Sequence, residues 1–255
     1  MLAAERRNLI LEKVHEDKKL IVKVLSKEFD VSEETIRRDL EKLEEDGHVI
    51  KSYGGAVINE KSGIDLPFNV RWKANAAGKQ KIAEIISHEI EDGDHIMLDA
   101  STTAVFIAKN IKNKNRLTVI TNSIEILLEL SDVSGWDIIA TGGLLKAGNM
   151  SLQGKKALDD ISSYNVDKVF MSCKGIDPEK GITDGNDETA GIKQNMLKSA
   201  GKVYLAVDST KFEKAALSRI CGLPETDVIV TDAKPEKRFL ETFEKLGITC
   251  LYPNE

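Results

Sequence analysis

Three short runs in the middle of the chain place hydroxyl, amide and glycine groups directly after an apolar stretch: Asp99-Ala100-Ser101-Thr102-Thr103, Thr121-Asn122-Ser123 and Ala140-Thr141-Gly142-Gly143. All three read as a β-strand ending where a helix begins, the third through a pair of glycines. Serine and threonine hydroxyls beside the free N–H groups of a helix N-terminus make an anion site suited to a phosphate. Paired glycines let backbone approach a ligand closely or adopt left-handed conformations. Each run also has an ordinary use as a helix cap or turn, so one alone would say little. Three with the same chemistry point to a ligand site. Further along, Lys174 and Lys211 offer cations to an anionic ligand, while Asp99, Glu188 and Asp208 offer carboxylates to hydroxyl groups.

A second constellation lies in Ser32-Glu33-Glu34-Thr35-Ile36-Arg37-Arg38-Asp39-Leu40. Asp30-Val31-Ser32 is a turn ending in a helix-capping residue, and Glu33 and Glu34 suit the positive end of a helix dipole. At about 100° per residue, Ile36, Leu40 and Leu43 share one face, and Thr35, Arg38 and Lys42 line another. A threonine can meet base edges in a major groove, and an arginine can bind guanine through two hydrogen bonds. Ser32, Lys27, Arg37 and Lys51 would add phosphate contacts that set the register. The competing reading is a solvated face on which Arg37 and Glu41, four residues apart, form a surface pair. Bulk charge does not favour DNA, because residues 1–57 hold 11 basic and 13 acidic residues, a net of −2.

The elements that must position these groups follow from periodicity. Residues 3–17, 22–29 and 33–45 read as helices, and His48 to Val57 brackets Gly54-Gly55 as a short hairpin, together a winged helix. Residues 1–57 thus form a DNA-binding domain. Residues 58–75, with Gly63 and Pro67 and no sustained period, are read as a linker. From residue 76 to 255, seven β-rich runs (HIMLDA, RLTVITN, WDIIAT, VDKVFMSC, KVYLAVD, DVIVTDA and ITCLYP) alternate with helical stretches. That alternation predicts an α/β domain with a mostly parallel sheet covered on both faces.

Composition narrows the class. The chain has 255 residues and a net charge of −6, which excludes a general polyanion coat and requires any DNA contact to be local. Cys173, Cys221 and Cys250 are far apart and odd in number, so neither a disulfide framework nor a metal site is expected. No apolar run approaches the roughly 18 residues that span a bilayer, and a cytoplasmic protein is expected.

The spacing Arg6-x3-Ile10-x3-Val14, then Ser32-x2-Thr35-Ile36-Arg37-Arg38-Asp39-Leu40, then Tyr53-Gly54-Gly55-Ala56 resembles the helix-turn-helix signature of the DeoR family of bacterial transcriptional regulators. LDASTT, TNS, the Gly-Gly element followed by Ser151 and Gly154, KGID with GIT, and DSTKF resemble that family's effector domain, so the resemblance spans nearly the whole chain. It implies a recognition helix carrying Thr35, Arg37 and Arg38. It also implies an effector domain similar to ribose-5-phosphate isomerase, glucosamine-6-phosphate deaminase and coenzyme A transferases, binding a phosphorylated sugar or polyol with phosphate at Ser101-Thr102-Thr103. The expected partners are double-stranded operator DNA, that effector and further copies of the chain as a homodimer or higher oligomer, without a cofactor. The alternative is a phosphosugar isomerase or deaminase using Asp99, Asp184, Asp187 or Glu188 as acid and base. That alternative leaves the N-terminal module unexplained.

Overall fold

The computed structural model describes residues 1–59, 66–146 and 148–253. It divides into two compact units, Met1–Ala74 and Asn75–Glu255.

The first unit runs through helix α1 (Ala3–Asp17), strand β1 (Lys19–Ile21), helices α2 (Val22–Glu28) and α3 (Glu33–Glu45), strands β2 (Val49–Ser52) and β3 (Gly55–Ile58) and helix α4 (Phe68–Lys73). Ser32 starts α3 by accepting the Thr35 N–H on its Oγ at 3.1 Å. This satisfies one of the orphan donors of the first turn. Ile36, Leu40 and Leu43 then pack with Ile10, Leu11 and Val14 of α1 and Leu25 of α2 in one core. The expected hairpin forms from β2 and β3, and β1 adds a third strand in the order β1-β3-β2. Sequence patterning misses β1 because three residues carry no measurable period. At Gly55, where β3 passes β1, a Cβ would lie 1.8 Å from the Leu20 carbonyl oxygen, so a side chain there would force the strands apart.

The segment read as a linker is more ordered than its composition implies. Pro67 precedes α4, Val70 is buried in the first unit's core, and Lys73 pairs with Glu12 at 2.9 Å. A single helical turn and a half offers too few residues for a periodic signal, which is why residues 68–73 read as irregular. Gly63 lies outside the described residues.

The second unit contains α5 (Ala76–Glu89), β4 (His95–Leu98), α6 (Thr102–Asn110), β5 (Thr118–Thr121), α7 (Ile124–Leu130), β6 (Asp137–Ala140), β7 (Leu144–Lys146), β8 (Ser151–Gln153) and α8 (Lys155–Ser162). It continues with β9 (Val166–Met171), β10 (Gly175–Asp177), β11 (Gly181–Asp184), α9 (Asp187–Lys198), β12 (Ala200–Ala206), β13 (Ser218–Cys221), β14 (Val228–Val230), α10 (Lys237–Leu246) and β15 (Thr249–Leu251). The seven β-rich runs of the sequence become one sheet, ordered β15-β14-β12-β9-β4-β5-β6, with every neighbouring pair parallel. Ile96, Met97 and Leu98 are all fully buried, the continuous burial that a doubly covered sheet demands of its central strand. A β7–β8 hairpin follows Gly142-Gly143 where the sequence reading expects a helix, because the positive φ of Gly143 turns the chain back into a strand, and a small antiparallel sheet, β10-β11-β13, is an addition that the reading does not separate.

Strand order marks a candidate place for a ligand. From β4 the chain steps through β5 to β6, whereas from β9 it steps the opposite way through β12 and β14 to β15. The direction reverses between adjacent β4 and β9, and ligands of open α/β sheets bind outside the C-terminal strand ends at such a switch point. Among the described residues, no helix is long and apolar enough to cross a membrane.

Candidate functional site

The switch point is built around Asp99, which follows β4 and is fully buried. Its Oδ1 accepts the Ser101 N–H at 3.1 Å, and its Oδ2 accepts the Ser172 N–H at 3.0 Å, just past the end of β9. This carboxylate therefore stitches together the two strand ends that flank the switch point. Ser101 caps α6, its Oγ accepting the Ala104 N–H at 3.1 Å. Thr102 and Thr103 open the helix and are buried beside its positive dipole end.

A residue absent from the sequence reading completes this centre. Lys193 of α9 is buried, and its Nζ donates to the Ser172 carbonyl at 2.7 Å and to Asp184 Oδ2 at 2.6 Å. It also lies 3.2 Å from Asp99 Oδ2. Burial pulls the ammonium pKa down, but Asp184 and Asp99 outweigh that pull and hold it above the usual lysine value. The sequence carried one signal: Ala190, Lys193 and Met196 are three apart on one helical face, which sets a lysine inside an apolar stripe.

The other expected effector residues fall along the same C-terminal edge, with differing roles. Thr121 donates its hydroxyl to the Leu98 carbonyl at 2.7 Å and accepts the Ser123 N–H at 3.1 Å. Asn122 donates to the Leu152 carbonyl at 3.0 Å, and among the described residues its buried Oδ1 has no hydrogen-bond partner; nor does the Thr141 hydroxyl on the neighbouring strand end. Gly142 and Gly143 are needed by the protein's own packing: the Gly142 N–H donates to Asp160 Oδ2 at 2.7 Å, and Gly143 has φ +125° with β8 backbone where a Cβ would go. Lys174, past the end of β9, is half-buried, and its N–H donates to the Thr183 carbonyl at 3.0 Å. Glu188 is exposed in the first turn of α9 and pairs with Lys146 at 3.1 Å.

Beyond β12, Asp208 is buried, its Oδ1 accepting the Thr210 N–H at 3.0 Å, with Lys211 Nζ 3.9 Å from its Oδ2. Burial opposes ionisation of this carboxyl. The Lys211 charge, both Thr210 hydrogen bonds and the charge of Lys79 outweigh it and hold the pKa below the usual range. Lys79 reaches this end of the sheet from the start of α5 and is itself buried.

In the first unit, the exposed side of α3 is laced with surface pairs. Arg37 does not meet Glu41; it pairs backward with Glu33 at 2.7 Å and Glu34 at 3.9 Å, the orientation that helices favour for an acid N-terminal to a base. Glu41 instead takes Lys51 from β2 at 3.1 Å. Arg38 is the most open of these cations, 77% exposed and 3.5 Å from Glu34. Lys42 pairs with Glu45 at 3.2 Å and Asp46 at 3.3 Å. Thr35 is half-buried with its hydroxyl 2.9 Å from Ser32 Oγ, and Lys27 is exposed on α2. Exposed pairs of this kind are worth about 0–1 kcal/mol, so phosphates can displace them at little cost.

Residues 6–62 match the DeoR-like helix-turn-helix domain, and residues 74–233 match the DeoR C terminal sensor domain. This chain belongs to the DeoR family. It is a DNA-binding transcriptional regulator with a sensor domain. The regulator is 39% identical to "Uncharacterized HTH-type transcriptional regulator YulB" of Bacillus subtilis (strain 168), the match covering 98% of each chain. It is 33% identical to "HTH-type transcriptional repressor GlcR" of the same organism, over 98% of this chain and 96% of that one. Among solved structures, it is similar to ribose 5-phosphate isomerase A from Methanocaldococcus jannaschii, with 17% identity and a TM-score of 0.37 over 52% of this chain and 53% of that one.

Proposed function

We propose that this regulator represses genes of carbohydrate metabolism and that a phosphorylated sugar or polyol relieves the repression. On this reading α3 enters the major groove of an operator, where Thr35 and Arg38 read base edges. Ser32, Lys27, Arg37, Lys42 and Lys51 hold phosphates and set the register. The effector's phosphate lies at Ser101, Thr102 and Thr103, and the strand-end groups from Asn122 across to Lys211 surround its hydroxyl-bearing part. The observation that carries the reading is the N-terminus of α6 opening at the switch point beside a buried lysine. That GlcR is named a repressor supports the sign of the regulation.

Helix-turn-helix proteins pair on two half-sites, so the regulator acts as a homodimer or higher oligomer, in the cytoplasm and without a cofactor. An effector that prefers the DNA-incompetent arrangement weakens DNA binding by its differential affinity, and DNA weakens effector binding equally. An isomerase or deaminase would need a carboxylate free to move a proton. Asp99 and Asp184 share the Lys193 ammonium, Asp187 accepts the Ser218 hydroxyl at 2.6 Å, and Glu188 pairs with Lys146. These engagements favour binding over catalysis.

A thermal-shift screen against a panel of sugar phosphates, followed by release from DNA taken from upstream of the regulator's own gene, tests the proposal. An effector at about 100 times its Kd adds about 2.7 kcal/mol of stability. A panel with no stabilising member, or chemical turnover of one, would sink it.

A further inference from the structure

Lys193 is the buried cation that ties three chain segments at the switch point: the Asp99 loop after β4, Ser172 after β9, and Asp184 at the end of β11. Asp99, in turn, is the acceptor for the Ser101 N–H, and Ser101 caps the helix whose N-terminus is the anion loop. Two carboxylates and one ammonium leave this buried cluster one negative charge in excess, directly behind a loop assigned to an anion. Without the ammonium, that arrangement would oppose the anion.

We propose that Lys193 is a positioning residue for the effector's anionic group: it fixes Asp99, and through Asp99 the Ser101–Thr103 loop, while masking the carboxylates behind that loop. The proposal rests on the assignment of the phosphate to this loop.

The neighbouring groups define a clean test. Asp99 faces Lys193 from the β4 end and Asp184 from the β11 end, with Cys173 beside it and Lys211 and Cys221 beyond Cys173. Burial pushes the thiols of Cys173 and Cys221 up to about 12, so neither changes charge near neutrality. Replacing Lys193 by Met leaves Asp99 and Asp184, former partners of one ammonium, without that cation, and adding Asp184→Asn removes one of the two uncovered charges.

The probe is inorganic sulfate, a dianion near neutral pH. Binding to the full-length protein is followed by calorimetry. Wild type is expected to bind sulfate, and Thr102→Glu is expected to abolish that binding. In Lys193→Met, sulfate affinity is expected to drop by about fivefold or more, and Lys193→Met/Asp184→Asn is expected to bind about threefold more tightly than Lys193→Met. An unchanged affinity in Lys193→Met, or a double variant no tighter than the single one, as simple loss of packing would give, overturns the positioning role and leaves the anion-loop assignment standing. Absence of Thr102-dependent sulfate binding in wild type overturns that assignment, and this proposal with it. Asp184→Asn keeps Lys193 on Asp99 and removes the excess charge, so it provides the same test if Lys193→Met does not fold. It is expected to raise sulfate affinity about threefold, and an unchanged or lower affinity overturns the proposal.

Discussion

Arg6 Nε stands 2.5 Å from Asp39 Oδ2, and the two side chains are buried where α1 packs on α3. Asp39 follows two exposed arginines in sequence, yet it faces the opposite way, with Arg7 Nη1 at 3.5 Å from its other oxygen. Removing one partner of a buried pair strands a desolvated charge, whereas replacing both with apolar groups does not. Asp39→Ala is therefore expected to destabilise the helix-turn-helix unit by about 3–5 kcal/mol. Arg6→Met/Asp39→Leu should recover most of that loss. Urea titration followed by circular dichroism measures both; a loss below about 1 kcal/mol for Asp39→Ala would show that the pair carries no burial penalty.

Arg38 makes the opposite prediction. It pairs with Glu34 at 3.5 Å across an exposed surface, so Arg38→Ala should change stability by less than about 1 kcal/mol. Loss of a base contact should cost about 1–3 kcal/mol of operator affinity with little effect on competitor DNA. Arg37→Ala should weaken both kinds of DNA together, as a phosphate contact does. Gel-shift titrations against operator and scrambled duplexes separate these outcomes, and undiminished operator preference in Arg38→Ala would remove it from base readout.

The contrast between Arg38 and Asp39 also marks what the sequence makes legible. Helical spacing shows the core stripe of Ile36, Leu40 and Leu43, and it shows the seven apolar strands, because burial of long apolar faces leaves a period. It does not show that Asp39 belongs to that stripe, since its partner Arg6 lies 33 residues away and nothing local pairs them. Lys193 escapes notice for the same reason: Asp99, Ser172 and Asp184 meet it only once β4, β9 and β11 are assembled. The loop proposed to take the anion is legible because its chemistry is local, a strand end followed by a capping serine. Gly142 and Gly143 are legible as a special backbone, but their cause, packing on α8 and β8, is tertiary.

Thr102 is the first residue of α6 and is 5% exposed. Thr102→Glu would place a fixed carboxylate at the positive end of that helix, where it competes with an incoming phosphate. The variant is expected to bind operator within about twofold of wild type and to resist release by the effector, because the coupling requires effector binding. Thr102→Val, which keeps the shape and adds no charge, should retain the response at higher effector concentration. Normal release of Thr102→Glu from DNA would move the phosphate elsewhere on the strand-end edge.

His48 gives the first unit a pH dependence. It is half-buried between α3 and β2, and among the described residues its ring Nδ1 has no hydrogen-bond partner. Burial lowers its pKa from the ordinary 6.5, against a weaker opposing pull from Asp46. In the unfolded chain the imidazole takes a proton at higher pH than in the folded one, so the unfolded state binds more protons below about pH 6.5. The stability that neutral His48 protects is thus complete above that pH and is lost as the pH falls through it, until the folded form also becomes charged. Urea midpoints of the wild type should fall between about pH 7.5 and pH 5.5, and His48→Gln, which cannot titrate, should fall less. Identical slopes for the two proteins would assign the acid sensitivity to another group.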